Sequence, residues 1–196
     1  PFANDPSTRL EVPALQRLEA VDLFVQRALR ADPDLSPDTI DRDDLIAIVE
    51  RLDRLPLAIE LAATRLASFR LHELRARLDD RLDLVRSIRG TAGGLDAAME
   101  LSWDDLSGSA QAVLIQASVF RSGIDRTAAE AVIDVSGGGS VVVDSLDELT
   151  EHGLLGKERT ADNRTRFRMA QTVREWSDAR LDEEMPAGST RLALEG

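Results

Sequence analysis

"LLGKERTADNRTRFRM", Leu154 to Met169, is the stretch in which apolar and polar residues stop following a helical period. Its two polar-apolar arms flank Ala161-Asp162-Asn163, residue types suited to a tight loop, so it reads as a β-hairpin.

Ahead of the hairpin the pattern is helical. Leu95, Met99, Ser102, Trp103 and Leu106 share one face, and Ser107 or Ser109 is placed to cap a second helix carrying Val113, Leu114, Ala117 and Phe120. Thr127-Ala128-Ala129-Glu130 fits a capping box that opens a short helix through Val132 and Ile133. "SGGGS", Ser136 to Ser140, is too glycine-rich for a regular element, and Val143, Leu146 and Leu149 then begin another short helix. After the hairpin, Val173, Trp176 and Leu181 mark a closing helix. Three helices, one hairpin and no other strand predict a winged helix-turn-helix over residues 91–183, with a disordered tail over 184–196.

The first ninety residues carry four apolar stripes: Leu18, Val21, Val25, Ala28 and Leu29; Leu45, Ile46, Val49 and Leu52; Ile59, Ala62, Ala63 and Leu66; then Leu71, Leu74, Leu78, Leu82 and Val85. They predict a helical bundle over residues 1–90. Gly90 and Gly93-Gly94 mark the boundary, with a hinge expected over residues 86–94. The fold class is therefore mainly α, a helical bundle followed by a winged helix with one small hairpin.

Composition excludes several functions. The 196 residues contain no cysteine and two histidines, His72 and His152, which leaves no basis for a disulfide framework or a thiolate or histidine metal site. No apolar run approaches the roughly 18 residues that span a bilayer, and a signal-peptide pattern is absent, so the reading is a soluble cytoplasmic protein. A net charge of -12 opposes nonspecific attraction to phosphate backbones. The first residue is proline rather than methionine, which reads as a piece of something longer.

"RLDRLPLAIELAATRL", Arg51 to Leu66, places a proline inside a helical pattern. Proline lacks an N–H and pushes its predecessor out of the α region, so one helix ends near Arg54 or Leu55 and Pro56 becomes the first residue of the next. Such a corner presents free N–H groups and a positive dipole end, which serve a phosphate or a nucleobase, or serve architecture alone.

This stretch resembles the Gly-Leu-Pro-Leu motif of the NB-ARC class of signalling ATPases, part of the STAND group, in its bacterial form. "RLEVPALQRLEAVDLFVQRA" looks like the segment leaving that family's nucleotide-binding domain, and "AMELSWDDLSGSAQAVLIQASVF" and "RFRMAQTVREWS" are similar to the start and end of its winged helix. The resemblance runs from about Leu10 to Leu181 and implies an ARC1-like character for the helical bundle. It implies that Leu55, Pro56 and Leu57 contact the adenine and ribose of bound ADP or ATP. Arg54 stands where the motif has glycine, adding a cation near the ligand. Met169-Ala170-Gln171 stands where the family has Met-His-Asp, so the histidine at the ADP β-phosphate is missing, and Arg168 or Arg166 is the substitute.

Nothing matches G-x-x-x-x-G-K-[ST], and Gly137-Gly138-Gly139 has no following lysine, so the chain lacks a phosphate cradle and is not an enzyme by itself. The implied function is a regulatory lid that closes over nucleotide held by an upstream P-loop domain of the same polypeptide and reorients to release an effector domain or permit self-assembly. ADP or ATP is expected only with that domain. A DNA-binding winged helix and a structural interaction scaffold are the alternatives. In the DNA alternative the helix near Val143 to His152 enters the major groove, and Asp144, Asp147, Glu148 and Glu151 on it argue against direct DNA binding. The hairpin is basic, with Lys157, Arg159, Arg164, Arg166 and Arg168. Trp103 and Trp176 read as core residues, His72 and His152 as surface histidines, and Asp79-Asp80 and Asp104-Asp105 as pairs whose side chains point apart.

Overall fold

The computed structural model describes residues 14–37, 40–89, 93–160 and 163–184. The first half is helical: α1 (Arg17–Ala31), α2 (Arg42–Arg51), α3 (Pro56–Thr64), a 3-10 turn over Arg65–Ala67, and α4 (Leu71–Arg89). Helical spacing decides what each buries, Ala20, Phe24 and Ala28 on α1 and Leu74, Leu78 and Leu82 on α4. α3 is apolar nearly all round, with Ala58, Ile59, Leu61, Ala62 and Ala63 buried, because it runs through the middle of the bundle.

The corner between α2 and α3 forms as its sequence implies. The N–H of Asp53 donates to the Glu50 carbonyl at 3.1 Å and that of Arg54 to the Val49 carbonyl at 3.1 Å, a Schellman closure of α2. Leu55 is extended and Pro56 is the first helical residue of α3. Asp53 and Arg54 both lie in the left-handed region, with φ of 53° and 55°. The position where the resembled motif has glycine thus has a backbone that favours glycine. Arg54→Gly is expected to stabilise the chain by about 0.5–1 kcal/mol, seen as a higher urea midpoint, because the one ion pair Arg54 makes among the described residues is the exposed 3.7 Å contact with Glu50.

The second half comprises α5 (Gly94–Asp104), α6 (Gly108–Ala117), β1 (Ile124–Asp125), α7 (Arg126–Val132), α8 (Gly139–Glu151), β2 (Leu155–Arg159), β3 (Thr165–Met169) and α9 (Gln171–Glu184). The hairpin is present, and β3 pairs antiparallel with β2 and with β1, in the order β1-β3-β2. The third strand corrects the expectation of a hairpin alone; at two residues it is too short to show a period. The expected capping box at Thr127 is also corrected. Asp125, held extended by its pairing with Arg166, caps α7 by accepting the Ala128 N–H at 2.8 Å. α8 starts inside the glycine run, after Gly137 and Gly138 turn the chain with φ of 111° and 74°.

One cluster of buried apolar residues extends from Ala20 on α1 to Trp176 on α9. α5 lies across α3 and α4, and Gly94 at its start is buried against the end of α2, its N–H donating to Asp53 Oδ2 at 2.7 Å. Of the expected hinge, residues 90–92 lie outside the described residues, while Gly93 lies against the Asp53 carboxylate and Gly94 is seated on the backbone of Arg51 and Leu52. Residues 185–196, nearly all of the expected tail, likewise lie outside them. At the far end, Trp103 of α5 and Trp176 of α9 meet edge to face at 5.5 Å, each 8% exposed, as core residues. The Arg180 guanidinium lies 4.6 Å and 4.4 Å from the two ring centroids and pairs with Glu100, which ties α9 to α5.

Candidate nucleic-acid interface

α6, α7 and α8 pack as a three-helix unit with the β2–β3 wing beside it. Val142, Ser145, Leu146 and Leu149 turn α8 inward and leave Ser140 and Asp144 exposed on its outer side. Register sorts the wing into two faces. Leu155, Lys157 and Arg159 pair with Met169, Phe167 and Thr165, and the alternate pairs are Gly156 with Arg168 and Glu158 with Arg166. Lys157 and Arg126 both approach the buried Phe167 ring, at 5.7 Å and 6.0 Å from its centroid.

The four carboxylates of α8 do not act as a single negative face. Glu148 accepts both the backbone N–H and the hydroxyl of Ser107, each at 2.7 Å, while Ser107 caps α6 by accepting the Ala110 N–H. Glu151 lines a cleft against the helical half of the chain. Asp147 accepts from Lys157 Nζ at 2.8 Å and from Arg126 Nη2 at 3.0 Å. Those contacts, the Lys157 hydrogen bond first, hold its carboxyl below the usual carboxylate range. Asp144 and Glu151 are left exposed without such a partner among the described residues, Asp144 on the outer side of α8 and Glu151 at the cleft.

Residues 106–182 match the family model of the winged helix-turn-helix domain. Residues 106–182 are a winged helix-turn-helix domain. An uncharacterized protein of Mycobacterium tuberculosis is 33% identical over 174 residues, covering 84% of this chain and 43% of that protein. A second M. tuberculosis protein, provisionally named an HTH-type transcriptional regulator, is 31% identical over 173 residues, covering 84% of this chain and 19% of its own length. Its counterpart in Mycobacterium bovis aligns with the same figures. The chain thus spans less than half the length of the relatives it matches. Among the described residues no helix is long and apolar enough to cross a membrane.

The six residues assigned by resemblance to nucleotide fall in two places. Arg54, Leu55, Pro56 and Leu57 form the corner at the start of α3, where the Arg54 carbonyl accepts the Leu15 N–H at 3.0 Å, so the segment entering α1 runs against it. Met169 and Arg168 end β3 of the winged helix; Met169 is buried opposite Leu155, and Arg168 is exposed and paired with Glu158. Neither the Glu151 cleft nor a second cleft beside Asp53 and Asp79 is lined by any of the six.

Sequence reasoning missed His152. His72 is exposed, as expected, but His152 is half-buried at the end of α8, and its Nδ1 is buried without a partner. Burial first, and the nearby Arg65 guanidinium second, push its pKa below the ordinary imidazole value; Glu148 and Asp105 oppose them. A histidine whose folded pKa is lowered binds fewer protons folded than unfolded. Its contribution is therefore complete above the unfolded value of about 6.5 and is lost as pH falls below it, until the folded pKa is passed. Urea midpoints should drop across that window in the native chain and less steeply in His152→Gln; parallel curves would contradict the assignment.

Proposed function

We propose that this chain is the winged-helix portion of a bacterial transcriptional regulator and that the winged helix contacts duplex DNA through α8 and the wing. The observation that carries this reading is the disposal of the α8 carboxylates. Glu148 is taken up in capping α6, Glu151 faces the helical half, and Asp147 is neutralised by Arg126 and Lys157. The charge objection to groove approach is therefore weaker than the sequence implied. What remains beside α8 is a cationic wing, suited to phosphate contacts that set orientation rather than sequence. The relatives' naming as HTH-type regulators supports the same reading.

In this reading Asp147 holds two cations back from phosphate. Fluorescence anisotropy with a random duplex in low salt should show Asp147→Asn binding roughly three- to tenfold more tightly than the native chain. Lys157→Gln should weaken binding and flatten the salt dependence by about one unit of slope, the signature of a lost phosphate contact. No anisotropy change for either protein at low salt would overturn the reading.

A second reading, a lid over ADP or ATP held by an upstream domain, is favoured by the corner itself: α3 opens at Pro56 with no side-chain cap on its first N–H groups. The assignment to nucleotide-driven regulators rests on sequence resemblance. ADP binding by a longer polypeptide that includes the upstream residues, weakened by Pro56→Ala, is the result this second reading expects.

A further inference from the structure

The cleft that takes Glu151 has a volume of about 550 Å³ and lies where the helical half meets the C-terminal end of α8. It is lined from α1 by Arg27 and Arg30, from the 3-10 turn by Arg65, from the following loop by Ser68, and from the end of α8 by Glu151 and His152. It sits at the opposite end of α3 from Pro56, about 12 Å away along the helix axis.

The donors here are under-used. Arg65 is 3% exposed, and its Nη1 donates to Asp105 at 3.0 Å while its buried Nε–H meets no acceptor. Arg27 donates to Glu60 at 2.8 Å, and its buried Nε–H is also unpartnered. Arg30 makes no ion pair among the described residues, in a chain whose net charge is -12. A guanidinium carries five N–H donors, and a buried one left without an acceptor keeps its desolvation cost uncompensated. These arginines line the cleft from two elements, α1 and the 3-10 turn, and a tetrahedral oxyanion offers acceptors to several guanidinium groups at once.

The charge balance sets a condition. Arg27 is offset by Glu60 of α3 and Arg65 by Asp105, which follows α5. Glu151 opposes Arg30, and α1, α3 and α8 all end here with the negative end of their dipoles. The Schellman bonds from Gly153 and Leu154 already occupy the Thr150 and Leu149 carbonyls. An anion therefore gains most when His152, which also feels the Glu148 and Asp105 carboxylates, carries a proton.

We propose that this cleft binds the phosphoryl group of a small molecule, held by Arg27, Arg30, Arg65 and protonated His152, and so clamps the helical half onto the end of α8. The site takes only the C-terminal end of α8 and none of the wing residues assigned to DNA. Binding takes up a proton, so affinity rises as pH falls.

The test is an NMR titration of the ¹⁵N-labelled chain with sodium phosphate and, for the pH series, with sodium sulfate, whose charge stays fixed over that range. Ionic strength is held constant with chloride. Backbone amides of Ala67, Ser68 and Gly153 should shift, with sulfate binding at least about fivefold tighter near pH 6 than near pH 8. Arg30→Gln, a change at an exposed side chain, should weaken binding by about fivefold or more, and His152→Gln should remove the pH dependence. Shifts confined to wing residues 157–168, affinity unchanged by Arg30→Gln, or pH-independent sulfate binding would each overturn the proposal.

Discussion

Gly94→Ala should destabilise the chain by about 3 kcal/mol or more, far beyond the usual effect of adding one methyl group. A Cβ at Gly94 would stand 2.2 Å from the Arg51 carbonyl oxygen and 2.3 Å from Leu52 Cα. Both are backbone atoms at the end of α2, so no side-chain rotation relieves the clash. The start of α5 would have to lift, breaking the Gly94 N–H bond to Asp53 and loosening the α5 contacts with α3 and α4. Gly108→Ala is the control, because nothing lies within 4 Å of its added Cβ and alanine is the better helix former. Urea denaturation of the two variants should give a large drop for the first and no loss for the second; equal midpoints would refute the seating of α5 on α2. The same contact bears on the expected hinge: rotation about Gly93-Gly94 requires α2 and α5 to separate, which a free linker would not.

The legible parts of this fold were those with a repeating local signal. Four apolar stripes gave the first-half helices, and the alternation across Leu154 to Met169 gave the wing, because period and burial are set by the same backbone geometry. Pro56 fixed the corner for an equally local reason, its missing N–H. β1 escaped because two residues carry no period, and its pairing partner lies some forty residues away on β3. The Thr127 box failed because a better acceptor, Asp125, was already held extended by that pairing. The charge of α8 was misread for a similar reason. Glu148 finds Ser107 across 41 positions and Asp147 finds Arg126 across 21, neither of which the helix's own sequence reveals. His152 is the same case: the Arg65 and Asp105 charges that act on it belong to other elements. The cleft beside it is assembled from α1, α3, the 3-10 turn and α8, so no single stretch of sequence carries it.

Asp105→Ala should be the other severe variant, and it tests the junction directly. Arg65 is 3% exposed, and burial already lowers its pKa against the opposing pull of Asp105. Removing the carboxylate leaves a desolvated cation with no counter-charge, a defect that costs about 3–5 kcal/mol when one partner of a buried pair is deleted. Arg65→Met should cost less, because Asp105 is 26% exposed and water can solvate it once the arginine is gone. The double variant should recover most of the Asp105→Ala loss, since a methionine in that position needs no counter-charge. Strict additivity of the two single losses would mean that the pair is not coupled. The effect reaches His152 as well, because Asp105 offsets the Arg65 field there. Without Asp105 the imidazole is harder to protonate in the folded chain, so its pKa falls further. The acid loss of stability below about pH 6.5 then extends over a wider interval, whereas the double variant, free of Arg65, should narrow it.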